Sequence, residues 1–578
     1  MKKSFKCISL MLSSLLILGC GSTAFSAATV EDNESVKAIY EKIEEGRTVL
    51  YDESNNEIPV EKLNNDTENI SKKFPQKYDL RDYGRVSKVK NQGSEGYCWA
   101  FASVASMESS ILSQNDLKSK LGENPQDTID LSEAGQTWYI HSGIVDKSSP
   151  FYGDYINDSS KGSNGGTSDT LAISLNSGFG TYPQSLCPYN EVKKGFSETL
   201  RYYSDYRLKD YSEISNNKDT LKSKIVSNGA VTVYYPSITY CYSSDYANYY
   251  SDNTCIGIGD SHLIVVVGWD DNYSKDNFTG KVKPSNDGAW LCKNSWGEHY
   301  GNDGYIWISY DTTNLAFSQY IMQDNNAYDN EYQNCFVTQG YGYNYEGAAN
   351  VFTAQSDEQL KQISFKTLGA YDYTASVYAL NADFDNPKDG RLLTAFSGKI
   401  ENNGVHYIDV KDEVYLTSGE KFSVVIESNN DSSYMSFSSS LLTNQNCKEN
   451  NSYILSHNQW SDAYNQPDIS RAYASIKAFT SDLDNSEVTE NLKKAVSDAE
   501  NIDKSKISSE KYANLLNNQI EASKSLLSNS SCSVQDMNNA VILLKYYEEK
   551  AVDAPYEISS IDDYFTLIEI CNNYGYIP

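Results

Sequence analysis

No two cysteines in this chain are spaced as CxxC, which excludes a thiolate zinc site of the finger or ribbon kind. The eleven cysteines are scattered over 578 residues, with Cys7 and Cys20 in the leader, so they do not make the dense bridge framework of a small secreted domain. Cys241 and Cys255 share one Tyr/Ser/Asp-rich stretch and could pair locally. After the first thirty residues no run is long and apolar enough to cross a membrane. Positive charge is scarce: 48 Lys and Arg stand against 78 Asp and Glu, a net charge of −30. Nucleic-acid partners need a basic face and are excluded on that ground; anionic membrane surfaces would repel the chain, and the surplus acts as a solubilising shell. Histidine is also rare. His141, His262, His299, His406 and His457 are the only five, so imidazole chemistry has few places to sit.

What is present begins with an export signal. Lys2, Lys3 and Lys6 precede the apolar run Ile8–Leu18. Ala24-Phe25-Ser26 and Ser26-Ala27-Ala28 both suit a signal-peptidase cut, whereas Ile17-Leu18-Gly19-Cys20 suits a lipid anchor on Cys20. The expectation is a secreted or cell-surface protein, released or lipid-anchored, with residues 1–27 as signal peptide. No cell-wall sorting signal is seen at the C-terminus, so wall association would need that lipid or non-covalent binding.

The length calls for several domains. Residues 28–73 are polar, with one helical patch expected around Val36–Ile43. From "FPQKYDLRDYGRV" to about Gln323 helix and strand patterns mix: "WAFASVASMESSIL" is helical, while "GAVTVYY", "HLIVVVGW" and "YIWISY" are β-branched and aromatic strands. Residues 326–480 read almost purely as strands between turn clusters, the pattern of a β-sandwich. From Ser486 to Asp553 apolar residues recur at helical spacing, predicting a three-helix bundle that serves as a spacer or a ligand-binding module. Residues 554–578 remain unassigned.

The stretch "NQGSEGYCWAF" raises the chemical question. Cys98 begins a helical pattern, and a helix N-terminus would place about half a positive charge beside its sulfur. A nearby imidazole would complete a nucleophile. His262 leads into the buried-strand run "LIVVVGW", where a ring can be held rigidly. "WLCKNSWGEHYGNDGYIWI" supplies Asn294, whose amide oxygen could accept the imidazole Nδ1–H and leave Nε2 facing sulfur. Trp296 could shield that bond from water. Gln92 and the backbone N–H of Cys98 could form an oxyanion hole.

These segments resemble the papain family of cysteine peptidases. "VKNQGSEGYCWAF" is similar to its nucleophile segment, "SHLIVVVGW" to its histidine strand and "KNSWGEHYGNDGYI" to its asparagine segment; "LSEAGQ" and "NGG" fall in the right order between them. The resemblance covers about Phe74 to Gln323 and is to the exported Gram-positive bacterial type. It implies Cys98, His262, Asn294 and Gln92 as the catalytic set. It also implies Gly165, Gly166, Trp296 and Leu263 as substrate-binding residues, with Leu263 bordering a pocket for a bulky apolar side chain. No cofactor is implied for catalysis. The chain departs from the family where a bridge normally lies, because Glu95 and Ser163 occupy its two cysteine positions. Tyr97 stands where a small residue is usual and is expected to alter the cleft. His262 and Asn294 lie 164 and 196 residues after Cys98, further than in plant and lysosomal members, which implies inserted loops.

Residues 326–480 resemble the lectin-like domain that follows some bacterial papain-type peptidases, which makes a surface glycan a candidate partner. "DFDNPKDG", with Asp383, Asp385 and Asp389, is a candidate structural calcium loop. The expected architecture has three parts: a papain-like α+β domain over 74–323 (a helical half and a β-barrel-like half), a lectin-like β-sandwich over 326–480, and a three-helix module over 486–553. Residues 28–73 are expected to be a propeptide that makes the enzyme a zymogen, or else a linker. The expected function is an exported cysteine endopeptidase (EC 3.4.22) acting on cell-surface or extracellular proteins through an acyl-enzyme. The rival is a surface adhesin or glycan-binding protein with a vestigial peptidase domain.

Overall fold

The computed structural model describes residues 74–553 apart from short stretches within 148–161, 256–259, 336–344, 429–447, 467–472, 504–505 and 530–531, together with three N-terminal strands. The leader with Cys20 and residues 554–578 lie outside the described residues, as does most of 28–73. The chain divides into two compact units, Met1–Phe74 and Pro75–Pro578. In the first, Tyr40–Glu44 pairs antiparallel with Arg47–Tyr51, which pairs with Glu57–Ile58. The helical patch expected around Val36–Ile43 is therefore corrected at its C-terminal end. A few apolar residues cannot repay helix nucleation, and Tyr40, Ile43, Val49 and Tyr51 suit a pleated ladder.

In the second unit the helix Cys98–Ser113 is the axis of the peptidase-like half. Almost every residue from Trp99 to Leu112 is buried. Small residues make that possible, because the backbone can approach its neighbours closely. The serines find backbone partners: Ser106 Oγ donates to Ala230 O at 2.8 Å and Ser109 Oγ to Arg85 O at 2.7 Å. Helix Glu133–His141 starts at Ser132, whose hydroxyl accepts the Gly135 N–H at 2.9 Å. The long β-branched and aromatic runs form adjacent strands in the order Ala316–Asp324, Val231–Ser237, Asp260–Asp270, Ala289–Lys293, Tyr305–Ser309.

Residues from Asn330 to Asp482 form two packed layers, the sandwich predicted from their strand spacing. One layer is the six-stranded sheet running from Gly390–Ile400 to Gln459–Asp462. The other includes Glu358–Thr367, Gly404–Leu416 and Ile476–Asp482. Between them lie Ile363, Phe365, Val377, Phe422, Val424 and Ile476. Sequence texture gives no warning that this second layer continues the peptidase sheet. Gly404, Val405 and His406 pair with Ser212, Tyr211 and Asp210, so one ladder crosses from one domain to the other. His406 Nδ1 lies 2.7 Å from Asp210 Oδ1 and Nε2 lies 3.1 Å from Asn402 O.

Helices Ser486–Glu500, Glu510–Ser528 and Val534–Asp553 close around Leu492, Val496, Leu516, Ile520, Met537 and Leu544, as the helical spacing predicts. The bundle is not a free spacer. Tyr546 of its last helix joins the peptidase cluster of Tyr139, Phe179, Tyr182 and Leu200. Asn539 Nδ2 donates to Ser204 O at 2.6 Å, and Glu549 Oε2 accepts from Ser197 Oγ at 2.8 Å and Thr199 Oγ1 at 3.0 Å.

The candidate calcium loop is not shown to be a metal site. Asp389 spends its carboxylate inside its own loop, accepting from Asn381 Nδ2 at 2.6 Å and the Asp385 N–H at 3.4 Å. Among the described residues no group of three His, Cys, Asp or Glu side chains could hold a metal, and that includes Asp383, Asp385 and Asp389.

Candidate active site

Cys98 is the first residue of its helix and is partly exposed. Its N-cap, Tyr97, makes no side-chain cap, and no acidic residue occupies the first turn. The positive end of the helix dipole is thus left uncompensated beside the thiol. The next residue, Trp99, is fully buried and fixes the loop Gly162–Gly166. Its Nε1 donates to Gly162 O at 3.0 Å, and a Cβ on Gly166 would come within 2.7 Å of its ring. Gly165, at φ +117°, has open space where a side chain would stand, so its backbone remains approachable.

Beside Glu95, the neighbouring Gly96 ties its segment to Ser163. The Gly96 N–H donates to Ser163 O at 2.7 Å, and a Cβ on Gly96 would meet that same oxygen at 2.7 Å. Glu95 pairs with Lys193 at 2.7 Å on the surface. Tyr97 does not line the cleft as its size suggests. It is 4% exposed and packs edge-on against Tyr189 at 6.0 Å.

His262 sits on the strand Asp260–Asp270, paired across to Tyr235, and is buried. Its Nε2 lies 2.9 Å from Asn294 Oδ1. Oδ1 also accepts the Ser295 N–H at 2.7 Å, which fixes the amide orientation and makes Nε2 the protonated nitrogen. The expected ring roles are therefore reversed: Nε2 faces the amide and Nδ1 is left as the proton acceptor. The indole of Trp296 lies over the ring at 4.4 Å and 20°, with Tyr235 edge-on at 5.8 Å. Burial pushes the His262 imidazole down to about 4, opposed by its bond to Asn294.

Gln92 is tied to the asparagine segment. Its N–H donates to Ser295 O at 2.9 Å, and its Oε1 accepts from Ser295 Oγ at 2.6 Å. One of its Nε2 hydrogens goes to Glu95 O at 2.9 Å. The Gln92 carbonyl accepts the Tyr189 hydroxyl at 2.7 Å, and the Tyr189 ring packs edge-on against Phe101 at 4.9 Å. Leu263 pairs with Tyr234 and is 7% exposed.

One layer beneath lies a charged cluster that no motif marks. Lys90 Nζ is 3.0 Å from Glu108 Oε1 and 2.9 Å from Glu133 Oε1, and donates to Leu131 O at 2.7 Å. Ser87 Oγ donates to Glu108 Oε2 at 2.5 Å and accepts from Lys293 Nζ at 2.9 Å. Burial raises Glu133 to about 7, against the pull of Lys90; burial also lowers Lys293 to about 8. The sequence carries a signal for it, since Glu108 and Lys293 interrupt otherwise buried runs in "SMESSI" and "WLCKNSW".

Known proteins resemble this chain in two successive parts. The family model "Papain family cysteine protease" matches residues 74–328, and "Lectin like domain" matches 328–480. Procathepsin L of Rattus norvegicus is 28% identical over 248 residues, 42% of this chain and 62% of that protein. Cathepsin S of Bos taurus is 30% identical over 256 residues, with the same coverage. The chain thus spans about three-fifths of the length of the curated relatives it matches. Among solved structures, the cysteine protease and lectin-like domains of Cwp84, a surface layer associated protein of Clostridium difficile, superpose with a TM-score of 0.57 at 26% identity. That match covers 71% of this chain and 89% of the other. Cwp84 after propeptide cleavage gives 0.57 at 25%, covering 70% and 99%.

Proposed function

With residues 74–328 belonging to the papain family of cysteine proteases and residues 328–480 to the lectin-like domains, we propose that this chain is an exported cysteine endopeptidase acting at the cell surface. The observation that carries the reading is the His262 Nε2–Asn294 Oδ1 bond beneath Trp296, on a strand packed beside the Cys98 helix.

The chemistry follows from the atoms. His262 Nδ1 takes the Cys98 proton, giving a thiolate–imidazolium pair. Burial alone favours a neutral ring, so the adjacent thiolate must sustain the imidazolium, while the positive end of the helix sustains the thiolate. An extended substrate lies along the Gly165–Gly166 backbone, and Leu263 borders the pocket for a bulky apolar side chain. The thiolate adds to the scissile carbonyl carbon. Its oxygen becomes an anion held by the Cys98 N–H and a Gln92 Nε2 hydrogen. Collapse expels the amine, which takes the proton from Nδ1 and leaves a thioester. Water then gives a proton to Nδ1, attacks the thioester, and releases the carboxylic acid and the free thiol.

Three further parts belong to the proposal. The segment 28–73 is a prosegment whose removal leaves a new N-terminus between about Ile70 and Tyr78. Cwp84, a relative solved after cleavage of its propeptide, supports this. Location at the cell surface is supported by the surface-layer association of that same relative. The lectin-like domain presents a surface for glycans. The adhesin reading has less support, because all four catalytic positions are filled. An epoxysuccinyl inhibitor tests the central part: processed protein should be modified once, at Cys98, and peptide mapping that finds the label elsewhere or nowhere overturns it.

A further inference from the structure

Two thiols outside the proposed chemistry face each other near the active site. Cys241 ends the short turn Thr239–Cys241, and Cys255 follows the hairpin made by Tyr242–Ser243 and Asn248–Tyr249. Their Sγ atoms are 3.3 Å apart, van der Waals contact for sulfur. The backbone at Cys241 and leading into Cys255 is held. Tyr242 pairs with Tyr249 and Ser243 with Asn248, the Tyr250 N–H donates to Cys241 O at 3.2 Å, and the Cys255 N–H donates to Asp252 O at 3.0 Å. The hairpin is anchored to the main sheet by the pairing of Asn248 and Tyr249 with Trp307 and Ile308. Closing a bond therefore requires movement of side chains and little else.

The two sulfurs differ in access. Cys241 is 2% exposed, whereas Cys255 is partly open and its thiol points at Asp252 Oδ1, 3.6 Å away. That is the arrangement of an accessible attacking thiol and an enclosed resolving one. A relay of rings links Tyr242, the neighbour of Cys241, to the His262 imidazole. Tyr242 stacks on Tyr300 at 5.4 Å, Tyr300 meets Trp296 edge-on at 4.6 Å, and Trp296 covers His262 at 4.4 Å. Cys255 itself lies seven residues before His262.

We propose that Cys241 and Cys255 form a reversible disulfide that fastens the hairpin forming the rim beside His262, an oxidation site separate from the nucleophile. The co-reactant is a low-molecular-weight disulfide of the glutathione kind. The Cys255 thiolate attacks it, forming a mixed disulfide and expelling one thiolate, which takes the Cys255 proton. The Cys241 thiolate then attacks the Cys255 sulfur and expels the second thiolate, which takes the Cys241 proton. Two protein thiols are oxidised and one small disulfide is reduced to two thiols. Burial, with the neighbouring Cys255, pushes the Cys241 thiol up to about 12, so the second step is the slower one.

The test uses the full chain carrying Cys98→Ala, so the nucleophile cannot consume oxidant and the outcome does not depend on the peptidase reading. After incubation with oxidised glutathione, the protein should lose the mass of two hydrogens, and digestion should give one crosslinked peptide joining Cys241 to Cys255. Its melting temperature should exceed that of the reduced protein by about 3 °C or more, a rise abolished by adding Cys255→Ser. A stable glutathione adduct on Cys255 without a crosslink overturns the proposal, as does an unchanged mass or a crosslink between other cysteines. If the crosslink forms but the epoxide fails to label Cys98 in the parent protein, the peptidase reading falls and this site stands.

Discussion

Asn294→Ala isolates what orienting the imidazole is worth. The amide oxygen serves two buried donors, His262 Nε2 at 2.9 Å and the Ser295 N–H at 2.7 Å. Alanine leaves both without an acceptor, under an indole that keeps water away. Each orphaned buried donor costs about 1–3 kcal/mol. The loss at Ser295 falls equally on the resting enzyme and on the transition state, so it shows up in stability. The loss at His262 also frees the ring to turn and to exchange the proton between its two nitrogens. If about 2 kcal/mol of that cost is felt only when the imidazole must hold and deliver a proton, kcat falls about 30-fold at little change in KM. Little is lost elsewhere, because Asn294 Nδ2 has no partner among the described residues. Steady-state kinetics on a fluorogenic peptide, with a melting curve beside it, reads both effects. An Asn294→Ala enzyme with unchanged kcat would remove the orienting role. A rise in KM alone would show that Asn294 shapes substrate binding instead.

Three other outcomes follow from the structure. Tyr189→Phe removes the donor to Gln92 O while keeping the ring between Tyr97 and Phe101. It should lower kcat about 5-fold with KM and melting temperature nearly unchanged, and little further once Gln92→Ala is present; full additivity would separate Tyr189 from the oxyanion donor. Glu133 is raised by burial to about 7, above its unfolded value, so its contribution to stability is fully present below the unfolded pKa and is lost as pH rises towards 7. The melting-temperature gap between wild type and Glu133→Gln should therefore narrow from pH 5 to pH 8, and a gap that stays nearly constant would mean that Lys90 keeps the carboxylate ionised. Tyr546→Ala empties a shared aromatic cluster and should cost about 3 kcal/mol in denaturant titration. A transition that still leaves the inhibitor-labelled peptidase domain untouched would return the bundle to the status of a spacer.

The legible parts of this protein are those encoded within short windows. Cys98 at a helix start, His262 at the mouth of an apolar strand and Asn294 beside Trp296 each carry their environment in neighbouring residues, and the structure brings His262, Asn294 and Trp296 into contact. The sandwich and the bundle are legible for the same reason, through their periods of two and 3.6. The rest depends on pairs far apart in sequence. Nothing local to "GVHYIDV" says that its first three residues extend the sheet of another domain at Asp210–Ser212. Nothing local to Tyr546 names Tyr139 as a neighbour. The ring nitrogens come out reversed because a motif gives the partners of an imidazole and not the direction from which each arrives. Tyr97 is misjudged from its size alone because the sequence does not show the pocket made by Tyr189. Composition also cannot show the hydrogen bonds that Asp389 makes within the acidic loop Asp383–Asp389.

Everything proposed for this site rests on Cys98 and His262 acting as one ion pair, and the pH dependence of Cys98 alkylation reads that pairing without any substrate. Iodoacetamide reacts with the thiolate, so the rate at Cys98, followed by peptide mapping in wild type and in His262→Ala, reports the ionised fraction at each pH. The pair predicts a wild-type rate that stays high well below the ordinary thiol pKa of about 8.5, and a His262→Ala rate that falls away near that value. Identical profiles in the two proteins would mean that the thiol ionises without the imidazole, and the ion pair would have to be abandoned.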